Sequence, residues 1–104
     1  MGIINHDPFL VPYSGTNVTE TYIHLQSEMS FTVQREKKNG STKYTIGACF
    51  VIHYNKQASI DNREPIGSVF VRIDADNTVL NDEPIITLLY DELKRKYSNY
   101  TDDP

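Results

Sequence analysis

The first residues with chemistry to offer are two histidines. His24 and His53 lie in two alternating segments, TYIHLQSEMSFTVQRE and YTIGACFVIHY, and both occupy polar positions. Paired antiparallel, with Gln26 facing His53 and His24 facing Asn55, the imidazoles would sit diagonally on one face, their β-carbons about 7 Å apart. Glu28 would lie further along that face, and two histidines with a carboxylate are ligands that zinc accepts. The HxH or HExxH spacing that would fix such a site is absent, and no third strong ligand is set by sequence. Exposed sheet histidines are the expectation, with no metal and no cofactor.

The other candidates fare no better. Asp74-Ala75-Asp76-Asn77-Thr78 opens like a calcium loop, but Val79 and Ile85 stand where the loop needs glycine and glutamate. Acids that cap the following helix explain the stretch better. Cys49 is expected in mid-strand opposite Ser30, without the oriented base that a nucleophilic thiol requires. As the only cysteine it makes no internal disulfide, which suits a reducing compartment. No GxSxG, P-loop or GxGxxG occurs, so no catalytic residue is expected.

Charge and hydropathy exclude two partner classes. A net charge of −4 and a pI of about 5.2 argue against nucleic-acid specificity, which normally leaves a basic footprint. The basic residues are scattered, Lys37 and Lys38 at a turn and Lys94, Arg95 and Lys96 near the C-terminus. No apolar run approaches the roughly 20 residues of a membrane span, and MGIINHDPF reads as no secretory signal.

The elements that must carry these residues are clearer. From Tyr22 to Glu36 the odd positions Ile23, Leu25, Met29, Phe31 and Val33 are apolar and the even ones polar, the period of a half-buried strand. Asn39-Gly40 then signals a two-residue type I′ turn. With Lys38 opposite Ser41, Val33 faces Ile46, Phe31 faces Ala48, Met29 faces Phe50, Ser27 faces Ile52 and Leu25 faces Tyr54. Both strands then turn their apolar residues to one face, and a slip by one residue would break every pair.

Asn55 to Pro65 is polar and turn-rich. Residues 67–73 alternate as a third strand, and 84–97 form a helix with an apolar stripe of Ile85, Leu88, Leu89, Leu93 and Tyr97. Asp82 or Glu83 is placed to cap that helix, with Asp91–Arg95 and Glu92–Lys96 as supporting pairs. The expected fold is α+β in one domain: an antiparallel sheet on a long hairpin (22–36 and 42–54), a third strand, one C-terminal helix, an irregular arm over 1–20 and a short acidic tail over 99–104.

Length is the most informative feature. A fifteen-residue strand spans roughly 50 Å, whereas a compact domain of this size is roughly 33 Å across. Such a strand either breaks at a bulge, near Gly47 or Ser27, and bends round its core, or its tip projects. A projecting tip makes Lys37, Lys38 and Asn39 contact residues. The apolar arm adds Phe9, Leu10 and Val11, and the end of the helix adds Tyr97 and Tyr100, tyrosine being suited to interfaces.

The Asn39-Gly40 hairpin over Tyr22–Tyr54, a further strand and one helix at Ile85–Tyr97 resemble the small tail and neck proteins of tailed bacteriophages. The resemblance is one of architecture and carries over no functional residue. It implies a non-enzymatic subunit of a ring-type homo-oligomer, in contact with itself and neighbouring structural proteins, in a virion or the host cytoplasm. Richness in Asn, Ile, Lys and Tyr, the bias of an AT-rich genome, is compatible with it. The alternative is a small acidic protein-binding or immunity-type inhibitor domain.

Overall fold

The structure is a computed structural model and describes residues 2–12, 14–26, 31–38, 40–76 and 84–103. In chain order the elements are β1 (Gly2–Asn5), β2 (Phe9–Leu10), β3 (Asn17–Val18), β4 (Thr21–Leu25), β5 (Phe31–Lys38), β6 (Ser41–His53), α1 (Lys56–Ile60), β7 (Gly67–Asp76), α2 (Ile85–Lys94) and β8 (Tyr100–Asp103). This is an α+β fold on an antiparallel sheet. β6 is its spine, paired along one edge with β7 from Lys43↔Asp76 to Ile52↔Gly67. Its other edge is divided between β5, which takes Ser41 to Ala48, and β4, which takes Phe50 to His53. β1 lies beyond β4 and β8 beyond β1, while β2 and β3 form a separate ribbon.

The hairpin has the expected register at its turn and a different one at its root. Lys38 faces Ser41, Val33 faces Ile46 and Phe31 faces Ala48, as alternation and turn chemistry require. Leu25, however, faces Phe50 rather than Tyr54, and Ile23 faces Ile52. The pairing has moved four residues along β6. Between Leu25 and Phe31 the first strand has five residues where β6 has only Cys49, whose carbonyl accepts the Gln26 N–H at 3.4 Å. An even shift returns odd residues to the same face, so the period-2 pattern runs through the break unaltered. The expected partners Ser27 and Met29 lie outside the described residues. The break falls between Leu25 and Phe31 and not at Gly47, where β6 pairs with β7 without interruption.

One face of the sheet holds the core. Ile46, Ala48, Phe50 and Ile52 of β6 join Ile3, Ile23, Leu25 and Val71, and α2 covers them with Leu89, Tyr90 and Leu93. Tyr90, outside the expected stripe, meets Phe50 edge-on with ring centroids 5.0 Å apart. α2 ends at Lys94, so Tyr97 packs from beyond the helix. Pro84 occupies the N-cap without a side-chain bond, and Asp82 and Glu83 lie outside the described residues. The supporting ion pair runs from Arg95 to Glu92 (3.3 Å), in place of the Asp91 partner expected.

Both chain ends differ from expectation. The arm is not irregular throughout: β1 runs inside the sheet between β4 and β8, and Ile3 is fully buried. Four residues with both faces covered show no period, which is why Gly2–Asn5 does not read as a strand. The acidic tail is β8, fastened from both faces of the sheet. Asp102 pairs with Lys94 of α2 at 2.8 Å, and Asp103 with Lys56 of α1 at 2.9 Å. α1 itself, in the expected loop, is capped by Asn55, whose side chain accepts the Ala58 N–H at 2.8 Å.

The two outcomes for the long strand occur together: it is broken, and the molecule is still elongated. The principal extents are 50 × 27 × 25 Å and the radius of gyration is 15.4 Å, above the roughly 13 Å of a compact domain this long.

Candidate functional site

Three strands, β5, β6 and β7, extend away from the end where β4, β1 and β8 complete the sheet. Among the described residues no strand of this arm lies on the outer edge of β5, and every residue from Thr32 to Lys37 is exposed. Val33 is 47% exposed although it faces the fully buried Ile46. The charged Arg35, Glu36 and Lys37 occupy the outer half, the usual protection of a free edge. On the opposite face the Phe70 ring, 61% exposed, reaches across β6 to cover Gly47.

The contact residues expected from sequence are not brought together. Lys37 pairs with Thr42 near the tip, the Lys38 backbone pairs with Ser41, and Asn39 lies outside the described residues. Phe9 packs on the core by Gly67, which pairs with Ile52, eleven residues or roughly 36 Å along β6 from Ser41. Leu10 is exposed, and Val11 donates its N–H to the Thr16 carbonyl. Tyr97 and Tyr100 are half-buried against the core, and burial raises the Tyr97 hydroxyl above its ordinary pKa.

The two histidines are adjacent, as expected, but they are not exposed. His53 faces Tyr22 and His24 faces Val51, so the shift of four residues exchanges one diagonal for the other. Their rings stack with centroids 5.0 Å apart and planes 14° apart, and Tyr22 lies 5.5 Å beyond His24. α1 covers them, leaving His53 only 6% exposed. His24 Nδ1 donates to the Leu25 carbonyl at 2.9 Å, so Nε2 accepts the Ser59 hydroxyl at 3.2 Å. His53 Nδ1 is buried with no partner. Desolvation lowers both histidines below the ordinary value. At His53 the neighbouring His24 adds to this, while the Leu25 carbonyl at His24 and the Arg63 carbonyl at His53 partly oppose it.

A second polar cluster joins the ends of the chain. His6 Nδ1 lies 2.8 Å from Glu20 and its Nε2 2.6 Å from the Thr101 hydroxyl. Hydroxyl, imidazole and carboxylate are the parts of a nucleophilic relay. Here the hydroxyl is exposed on the edge strand β8, open to water, and the cluster reads as a clasp between β8, the residue after β1 and the turn before β4. Sequence reasoning did not find it, since the three residues share no local motif.

Among the described residues no group of three or more His, Cys, Asp or Glu side chains is placed to hold a metal ion. Asp74 accepts the Thr45 hydroxyl at 3.1 Å and Asp76 faces Lys43, so both belong to the β6–β7 ladder. Cys49 faces Phe70 across that ladder, half-buried, and Ser30 lies outside the described residues. No helix among the described residues is long and apolar enough to cross a membrane. Compared with known proteins, the chain matches no family model, no curated protein and no solved structure.

Proposed function

We propose that the chain is a non-enzymatic structural or assembly subunit that self-associates through its projecting hairpin. The observation that carries this reading is β5, an exposed strand whose outer edge is unpaired among the described residues, in a molecule 50 Å long. The exposed stretch from Thr32 to Lys37 gives little stability to its own domain, and an unpaired strand edge is a ready template for another strand. β1 is paired on both sides, while β8 lies at the opposite edge of the sheet from the hairpin. The long hairpin, the further strand and the C-terminal helix also resemble the architecture of small bacteriophage tail and neck proteins, and a virion tail or neck is the setting we propose.

The test is the native mass by light scattering across a range of concentrations. A discrete oligomer, or growth with concentration, supports the reading. A strict monomer of about 12 kDa defeats self-association and favours the acidic binding domain, with the arm held for a different partner.

A further inference from the structure

His53 is an anomaly of a different kind. A buried ring nitrogen without a partner is uncommon, since burying a polar group unpaired costs free energy. The neutral ring tolerates the site, because an unbonded lone pair carries no net charge. A protonated ring does not: it would bury a positive charge and a second N–H, both stacked 5.0 Å from His24. His24 is bound on both nitrogens in its neutral form, through the Leu25 carbonyl and the Ser59 hydroxyl.

The surroundings supply little to receive a proton. From β4, the Tyr22 ring lies tilted against His24, but its hydroxyl already donates to Asp103 at 2.8 Å. From β8, Asp103 is further occupied by Lys56 of α1 at 2.9 Å. From the segment after α1 come the Arg63 backbone and Asp61, whose carboxylate accepts from Gln57 at 3.1 Å. β6 and β7 bring Val51, Cys49 and Ser68 alongside. The two nearby carboxylates, Asp103 and Asp61, are thus both already engaged.

We propose that the His24–His53 stack is an acid-operated latch on α1: protonation of the pair forces Asn55 to Arg63 off the sheet while the core on the other face stays folded. Opening solvates both rings and removes the Ser59 contact. It also carries Lys56 away from Asp103 and so loosens β8 at the end of the molecule opposite the arm. The signs agree with the depressed histidines: the closed form is favoured while both rings are neutral and loses its advantage as pH falls below the ordinary histidine value. The rings titrate as a coupled pair.

Amide hydrogen exchange, followed residue by residue from about pH 7.5 to about pH 5 and corrected for intrinsic rates, tests this. Opening of residues 56–63 should rise up to about ten-fold per pH unit for one proton taken up and up to about a hundred-fold for two. Amides of Ile3 and Phe50, in the core, should keep their protection. His53→Phe, which keeps a stacking ring and removes the titration, should abolish most of the rise. If that variant does not fold, ring titration of the wild type by NMR decides. Ring pKa values below the ordinary one, titrating together with the α1 amides, support the latch. An opening constant that is flat with pH, an equal rise in His53→Phe, core amides that lose protection together with α1, or rings that titrate at the ordinary value without moving α1 would each overturn it.

Discussion

The Tyr90 hydroxyl oxygen accepts the backbone N–H of Leu25 at 3.0 Å, tying α2 to the last residue of β4 before the register moves. The bond is buried, and Leu25 is the residue from which the chain leaves for the arm. Tyr90→Phe keeps the edge-on contact with Phe50 and leaves that N–H unpaired. It should cost about 1–3 kcal/mol in urea unfolding, with little change in the slope. A loss under about 0.5 kcal/mol would mean that water replaces the hydroxyl.

How far this arrangement could be read from sequence depends on the range of each signal. Alternation in Phe31–Lys38 and the Asn39-Gly40 turn act locally, so the tip register is legible. The break between Leu25 and Phe31 is not, because four extra residues preserve parity and only the far pairing of Leu25 with Phe50 reveals it. β1 and β8 were missed for a related reason. Four-residue strands take their conformation from neighbours, here Ile3 between Ile23 and Asp102, rather than from a pattern of their own. The histidine stack was half legible: the shared face followed from parity, while burial depends on α1, a five-residue helix too short to show a period.

Two glycines with similar crowding should respond differently to alanine. A Cβ on Gly47 would come within 2.6 Å of Phe70 Cζ, and one on Gly2 within 2.6 Å of the Tyr22 ring and hydroxyl. Phe70 is exposed and can swing away, whereas Tyr22 is buried and held by Asp103. Gly47→Ala should therefore be neutral or stabilising by up to about 1 kcal/mol, since glycine is a poor strand residue. Gly2→Ala should be destabilising by about 1–3 kcal/mol, as overpacking usually is. Equal thermal midpoints for the two variants would refute the distinction.

Asp103 should contribute stability that acid removes. Its hydrogen bonds, first from Lys56 and then from Tyr22, hold its carboxyl below the ordinary carboxylate value. A depressed folded value means that the contribution is complete above the unfolded pKa and is lost as pH falls through the folded one. The window therefore lies below the ordinary value of 3.8. Asp103→Asn should lower the melting temperature at neutral pH, and the difference from wild type should close within that window. A gap that stays constant into strong acid would show that the charge contributes nothing.

Proline scanning of β5 separates its two edges. In a two-residue hairpin the pair closing the turn, Lys38 and Ser41, is hydrogen-bonded, and bonded pairs then recur at every second residue. Gln34 and Glu36 therefore point their backbone groups at β6, while Val33, Arg35 and Lys37 point theirs outward to the free edge. Arg35→Pro removes one outward donor and leaves the ladder intact, so monomer stability should fall by less than about 1 kcal/mol, consistent with an exposed edge position. Gln34→Pro removes a ladder bond and should cost more. If neighbouring subunits pair along β5, Arg35→Pro should abolish the oligomer while circular dichroism and melting stay close to wild type. An Arg35→Pro protein with undiminished native mass would show that this edge is not the one that neighbours use.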